Sequence, residues 1–320
     1  MKNRTKLIRA IPAVFGALAL LLLVACGNVG SSGGSGPSAG DDGGGGPTIT
    51  VGSKNFTEQY VLGELYAQAL EAKGFNVEKK LDLGSAAIAD KALQNGQIDM
   101  YPEYTGTSLV EIFKQEEAPD TPEATYQKAK ELYAQRDPAD TMLTPAPFNN
   151  TYGIFVRKDV AEKYDLKTLA DLAEVSPRLA FVLFSEFKTR EDGYPNMQNN
   201  YPAFDFGDFV IVNSIGGPIY QGVVQGEGDA GVGFTTDSQL ASDELVVMED
   251  PKSIWPFYYP APVVRTEVLE QYPNVEGVLN SVSKSLDDET MRQLNAQVDV
   301  EQEDPEDVAA EFLQEKGIVE

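Results

Sequence analysis

Histidine is absent from this 320-residue chain, and cysteine occurs only once. Without histidine the chain has no Ser-His-Asp or Cys-His catalytic set and no His-ligated metal. A single cysteine excludes an intrachain disulfide, a CxxC redox pair and a thiolate zinc cluster. These absences remove several common classes of enzyme and metalloprotein.

Positive charge is scarce, because 25 Lys and Arg residues face 50 Asp and Glu residues, a formal net charge of −25. Nucleic-acid binding needs a basic footprint, so a nucleic-acid partner is not expected. The acid excess indicates either an ordinary solvated surface or adaptation to high salt, and both interpretations stay open. The apolar fraction of 42% is sufficient for a folded core.

The longest apolar run is short, covering the 15 residues Ala10–Val24, which is less than a transmembrane helix needs. The basic residues that precede it are Lys2, Arg4, Lys6 and Arg9. The run ends in Leu23-Val24-Ala25-Cys26-Gly27, which resembles the bacterial lipobox. Residues 1–25 are therefore predicted to be a lipoprotein signal peptide, with Cys26 lipidated as the mature N-terminus. The alternative is an ordinary signal peptide with a chance cysteine.

Glycine and serine dominate the segment that follows, with ten Gly and four Ser among the twenty residues Gly27–Gly46. Such a composition is typical of a flexible linker. Residues 26–47 are therefore predicted to tether a globular domain to the outer face of a cell membrane, which makes the protein extracytoplasmic and lipid-anchored.

Beyond residue 47 the sequence alternates between strand and helix patterns. The first set predicts a strand at Thr48–Val51, a helix around Val61–Leu70, a strand at Phe75–Leu83, a helix at Ala86–Asn95 and a strand at Ile98–Tyr101. This βαβαβ order indicates a parallel sheet covered by helices. A second set predicts strands Tyr152–Arg157, Leu179–Phe184, Ala230–Phe234, Leu245–Met248 and Pro262–Arg265, helices Leu166–Val175 and Gly217–Gln225, and a helical tail Val275–Lys316. The expected fold class is α/β with two lobes and a ligand in the interlobe cleft.

No motif announces an enzyme, since neither GxGxxG nor GxxxxGK follows a predicted strand. Aromatic residues instead lie beside turn residues, in the segments Tyr101–Tyr104, Asn149–Tyr152 and Trp255–Pro260. Rings at strand ends can form a box for a quaternary ammonium group, or they can be ordinary core residues. Before the first helix, Asn55 is followed three residues later by Glu58. Free N–H groups at this helix start, with Lys54 beside them, would suit a ligand carboxylate. The alternative is that Lys54 is a solvated residue near a turn.

Several segments together resemble one family, the substrate-binding proteins of osmoprotectant ABC importers, which bind glycine betaine, choline, carnitine and related solutes. The matching segments are Gly52–Gln59, Leu83–Ser85, Gly96–Thr107, Asn150–Gly153, Arg190–Tyr194, Phe234–Asp237 and Tyr258–Val264. The resemblance covers about residues 48–318 in order. It implies a two-lobed, type II periplasmic-binding-protein fold, with residues 48–148 plus 256–320 in lobe 1 and residues 149–255 in lobe 2.

The resemblance also implies a set of binding residues. An aromatic cage for the cationic head would consist of Tyr104, Tyr152, Tyr258 and Phe234. At the position of Phe234 the family frequently has a Tyr. The carbonyl of Asn150 would face the same head. A carboxylate clamp would consist of Lys54, Thr107 and Arg190, the last able to bind both oxygens.

The expected function is capture of glycine betaine or a related solute for an ABC permease, by a monomer without cofactor or metal. One alternative is a preference for choline, whose hydroxyl does not need Arg190. Another is an enzyme on a similar bilobal fold, and a third is a structural surface lipoprotein.

Overall fold

The computed structural model describes residues 48–115 and 118–319. The predicted signal peptide, Cys26 and the tether 26–47 lie outside the described residues. Across the two described ranges no helix combines the length and the apolar character that crossing a bilayer requires.

Ten strands form the two sheets of the described chain. They are β1 (Thr48–Gly52), β2 (Asn76–Lys80), β3 (Met100–Tyr104), β4 (Asp140–Met142), β5 (Tyr152–Arg157), β6 (Ala180–Phe184), β7 (Asp208–Val212), β8 (Ala230–Phe234), β9 (Leu245–Val247) and β10 (Pro260–Arg265).

Thirteen α-helical segments of the described chain accompany these strands. They are α1 (Thr57–Glu71), α2 (Ala86–Gln94), α3 (Thr105–Thr107), α4 (Pro122–Ala134), α5 (Lys158–Tyr164), α6 (Leu169–Val175), α7 (Ser185–Thr189), α8 (Tyr194–Asn200), α9 (Gly217–Val224), α10 (Thr266–Gln271), α11 (Asn274–Lys284), α12 (Asp288–Asp299) and α13 (Pro305–Glu315). A π-helical turn, Ser108–Ile112, continues from α3.

The first sheet has the order β2-β1-β3-β10-β4, and the second has the order β7-β6-β8-β5-β9. In the first sheet β1 is parallel to β2 and β3, as the βαβαβ pattern predicts, while β10 is antiparallel to β3 and β4. The second sheet repeats this arrangement, with β6 parallel to β7 and β8, and β5 antiparallel to β8. Each antiparallel strand begins where the chain arrives from the other sheet, so it needs no helical crossover. The two-lobed α/β fold is thus confirmed, with mixed sheets. The lobe boundaries at 148/149 and 255/256 stay predictions.

The strand predicted at Phe75–Leu83 is shorter than its alternating pattern suggests, since β2 ends at Lys80. Leu81 and Leu83 nevertheless point inwards. A Cβ on Gly63 would lie 2.7 Å from the Leu81 side chain, and a Cβ on Gly52 would lie 3.0 Å from that of Leu83. The alternating apolar residues of this segment therefore reflect packing against α1 and β1, and not the length of the strand.

The core of the first lobe surrounds α1, whose apolar side chains are almost wholly buried. This helix packs between the first sheet and the C-terminal helices α11, α12 and α13. The predicted helical tail is interrupted twice, where Asp287 and Asp304 accept hydrogen bonds from the first turns of α12 and α13. The sequence analysis also missed the strand β7 and the helix α4, which Thr121 caps.

Candidate ligand-binding site

A cavity lies at the edge where the parallel strands of both sheets end. Its walls come from the ends of β1, β3, β6 and β8 and from the beginnings of β5 and β10. The free space is about 70 Å³. A single water needs about 10–15 Å³ on this scale, so the cavity suits a compact small molecule.

All eight residues predicted to bind a ligand line this cavity. They are Lys54, Tyr104, Thr107, Asn150, Tyr152, Arg190, Phe234 and Tyr258. They come from both sheets and from the segments that connect them, as expected for the carboxyl ends of parallel strands. Their proximity is a finding of the structure, whereas their contacts with a ligand stay a prediction.

Aromatic rings surround one part of the cavity. The Tyr152 ring centroid lies 5.4 Å from that of Phe234 and 5.7 Å from that of Tyr258. Phe56 stacks between Tyr104 and Phe234, at centroid distances of 6.2 and 5.9 Å. The sequence analysis did not select Phe56, although it lies two residues after Lys54 in a motif that carried the resemblance. It also missed Phe184 at the end of β6, another ring of the cavity wall.

A close approach of the backbone holds Tyr258 in place. A Cβ on Gly106 would lie 2.8 Å from the carbonyl oxygen of Phe257 and 3.0 Å from the Tyr258 ring. Only glycine therefore fits between α3 and this segment without a shift. Gly106 therefore allows the Tyr258 ring to pack against α3.

Lys54 and Arg190 provide the positive charge of the cavity, and each is already paired with a carboxylate. The Lys54 ammonium group hydrogen-bonds Glu103 and lies 4.3 Å from the Tyr104 ring centroid. Burial lowers the pKa of Lys54, and the carboxylate of Glu103 opposes that shift. Arg190 donates from Nε and Nη2 to Asp192, at 2.8 and 2.7 Å. Its Nη1 has no hydrogen-bond partner among the described residues.

Asp192 connects the two kinds of cavity residue. Besides Arg190 it accepts a hydrogen bond of 2.7 Å from the Tyr258 hydroxyl, and its carboxylate is almost fully buried. A substitution at Arg190 therefore affects Asp192 and Tyr258 as well as any ligand.

The start of α1 differs from the sequence-based prediction. Asn55 and Glu58 have the spacing of a helix cap, but the N-cap residue is Phe56 and no side chain caps the helix. Glu58 does not hydrogen-bond back to Asn55. Glu58 instead turns inwards, where burial raises its pKa and four hydrogen-bond donors oppose that shift. The reason is tertiary, because those donors come from elsewhere in the chain and satisfy the carboxylate better than the local backbone.

No group of three or more His, Cys, Asp or Glu residues in the described ranges is arranged to hold a metal ion. The polar groups of the cavity are two cations, the carboxylate of Glu186, the amides of Asn55 and Asn150, and several hydroxyls, which suit an organic ligand. Two mixed β-sheets with covering helices, between which the chain passes twice, and a small-molecule cavity at their strand ends define the class of two-lobed solute-binding proteins.

Comparisons with known proteins agree with this class. The family model for the substrate binding domain of the ABC-type glycine betaine transport system matches residues 47–315, and the chain belongs to this family. The resemblance stated from the sequence is thereby confirmed. The chain is a binding protein of an ABC importer and not an enzyme.

Two curated relatives illustrate the similarity. The glycine betaine-binding protein YehZ of Escherichia coli is 37% identical over 279 residues, covering 84% of this chain and 90% of that protein. A glycine-betaine-binding protein of Pseudomonas aeruginosa is 35% identical over 284 residues, covering 85% and 89%. A crystal structure described as a glycine betaine/carnitine/choline ABC transporter has a TM-score of 0.68 and 26% identity, covering 85% of this chain and 99% of that one.

Proposed function

We propose that this protein captures glycine betaine, or a closely related quaternary ammonium solute, in the cavity and delivers it to an ABC importer for osmoprotection. The observation that carries the proposal is the arrangement of the cavity, where clustered rings lie beside two cations, the buried Lys54 and the partly buried Arg190. Glycine betaine is a zwitterion, so its two ends require these two environments.

The aromatic end suits a trimethylammonium group. Such a group has no N–H to donate, so only π faces and acceptor oxygens can recognise it. Each well-placed ring contributes roughly 0.5–2 kcal/mol. We assign the cage to Tyr104, Tyr152, Phe234 and Tyr258, and we add Phe56 because its ring stacks between two of them.

The cationic end suits a carboxylate. Arg190 keeps Nη1 free of protein partners, and Thr107 lies in the same wall with a hydroxyl that has no partner in the described chain. Lys54 is buried beside them and paired with Glu103. We assign the clamp to these three residues. Since they come from both lobes, shared contact with one carboxylate would favour the closed arrangement.

Choline is the second candidate, and one observation favours it. Both cations of the clamp already have carboxylate partners, Glu103 and Asp192, and Glu186 also lines the cavity, so the clamp end has no excess positive charge without a ligand. A neutral hydroxyl would fit such an end at less cost than it would fit unpaired cations.

A calorimetric titration with glycine betaine, choline and proline in parallel tests the proposal. We expect glycine betaine to bind one to one, because there is one cavity with one set of rings. Radiolabelled glycine betaine should be recovered unchanged after release. Binding of proline in preference to both quaternary ammonium ligands would contradict the cage assignment.

We also infer that Cys26 carries a lipid that anchors the mature protein through residues 26–47, and that the protein acts as a monomer. In cells grown with a radiolabelled fatty acid, the wild type should be labelled and Cys26→Ala should not. An unlabelled, freely released wild type would instead indicate an ordinary signal peptide. Sedimentation of the purified domain tests the monomer.

A further inference from the structure

Glu58 is a buried carboxylate behind the cavity wall, and it accepts four hydrogen bonds. Its Oε1 accepts from the Tyr104 hydroxyl at 2.7 Å and from Asn150 Nδ2 at 2.8 Å. Its Oε2 accepts from the Thr236 hydroxyl at 2.6 Å and from Asn295 Nδ2 at 3.2 Å. Glu58 itself does not line the cavity. Two of its four donors, Tyr104 and Asn150, do.

The carboxylate determines how the Asn150 amide is oriented. Glu58 Oε1 accepts the hydrogen bond from Asn150 Nδ2, so Asn150 turns its NH₂ group towards Glu58. The amide oxygen Oδ1 then points the other way. It is buried and has no hydrogen-bond partner in the described chain, although Asn150 lines the cavity. An unpartnered buried acceptor is costly, and because Asn150 lines the cavity a bound ligand can satisfy this one.

The same carboxylate restrains the Tyr104 ring. The hydroxyl bond to Oε1 fixes the far end of the ring, and Phe56 stacks on it at 6.2 Å. A ring held at both its hydroxyl and its face loses little freedom when a cation binds against it.

We propose that Glu58 is a positioning residue for cation recognition. It directs the Asn150 oxygen and the Tyr104 ring towards the ligand's ammonium group without touching the ligand. The inference rests on the proposed function, since it concerns the same cavity and the same ligand class.

The variant Glu58→Gln tests this role. Its NH₂ group can donate to the Asn150 oxygen, so the Asn150 amide can rotate and present its own NH₂ group to the cation. Glycine betaine should then bind at least tenfold more weakly. The matched control is Glu64→Gln on the same helix, where Glu64 pairs with Lys79 away from the cavity. It should change the affinity less than twofold.

A ligand with an uncharged head group and the same carboxylate separates positioning from general damage. The probe is 3,3-dimethylbutanoate, which has the shape of glycine betaine with carbon in place of the charged nitrogen. The polarity of the Asn150 amide matters much less to this probe. The affinity ratio of glycine betaine to the probe, measured by competition, should therefore fall at least fivefold in Glu58→Gln.

A double-variant cycle with Asn150→Ala gives a second and independent readout. If Glu58 acts through Asn150, Glu58→Gln should weaken glycine betaine binding much less in the Asn150→Ala background than in the wild type. Asn150→Ala alone should also lower the affinity ratio, which keeps the test valid if Glu58→Gln folds poorly. Additive effects, or equal losses for both ligands, would overturn the inference and leave Glu58 a structural residue. Failure of the wild type to bind glycine betaine would instead refute the proposed function.

Discussion

Replacing Arg190 tests the carboxylate end of the cavity, but the single variant is ambiguous. Asp192 is almost fully buried and takes two hydrogen bonds from Arg190. Removing only one partner of a buried ion pair costs roughly 3–5 kcal/mol of stability, and the unpaired Asp192 also holds the hydroxyl of the cavity ring Tyr258, which both ligands would contact. Arg190→Ala should therefore weaken glycine betaine and choline alike, in contrast to the sequence-based argument that choline does not need Arg190.

The double variant Arg190→Ala/Asp192→Asn removes both charges and leaves neither unpaired. The remaining loss is then the interaction of Arg190 with the ligand carboxylate. Hydrogen bonds to charged groups contribute about 1.5–3 kcal/mol, so we expect a loss near 2–3 kcal/mol for glycine betaine. This corresponds to a rise in Kd of about 30- to 150-fold. Choline has no carboxylate, and its Kd should change less than about threefold.

Calorimetric titration of both ligands into the wild type and both variants measures these effects, with thermal unfolding as a control for the fold. Asp192→Asn alone is a further control: it should lower the thermal stability by unpairing Arg190, but Arg190 can then pair with the ligand carboxylate, so glycine betaine binding should not weaken. Equal losses of the two ligands in the double variant would refute the reasoning and show that the pair maintains the lobe. No loss for either ligand would remove Arg190 from the site and leave Lys54 and Thr107 as the carboxylate contacts.

Three further predictions concern the rings and their support. Tyr258→Phe should weaken glycine betaine binding about tenfold, because the hydrogen bond to Asp192 is lost. Tyr258→Ala should weaken it about tenfold more, because the ring is lost as well. If titration gave the two variants equal Kd values, the Tyr258 ring would not belong to the cage. Phe234→Tyr should keep Kd within about threefold, and complete loss of binding would mean that this ring packs as core. Burial raises the pKa of Asp237 to about 7. As the pH falls from 8 to 6, the folded state takes up a proton there that the unfolded state does not, so the free energy of unfolding rises by about 1.4 kcal/mol. Asp237→Asn keeps an acceptor for Tyr220 and should lack this gain in urea unfolding at the two pH values; a pH dependence equal to the wild type would contradict the assignment.

The pattern of residues was sufficient to predict the α/β class and most strand positions of the cavity. Strands β1, β5, β6 and β8 are short, largely apolar and flanked by glycine or polar turns, so the local sequence pattern predicts them, whereas β3, which contains Pro102 and Glu103, begins two residues later than predicted. The eight predicted binding residues came from the resemblance to the osmoprotectant-binding family, and the structure places them at the strand ends that line the cavity. Weak elements such as β4, with three residues, carry too little local signal to be predicted.

The partners of the cavity residues were not predictable from the sequence. Glu58 receives its donors from Tyr104, Asn150, Thr236 and Asn295, the last of them 237 positions away. With 50 acidic residues in the chain, nothing local distinguishes Glu58, Glu103 or Asp192 from solvated carboxylates. Even Asp192, two residues from Arg190, is distinguished only by its burial and by Tyr258.

The sequence by itself therefore determined the order of strands and helices, the absence of histidine chemistry and the residue types available to a ligand. The tertiary structure alone decided which charges are paired, which way the Asn150 amide points and that Phe56 joins the rings. The physical reason is that periodicity and turn propensity act between neighbours in the chain. Burial and hydrogen bonding act between groups that only the folded chain brings together.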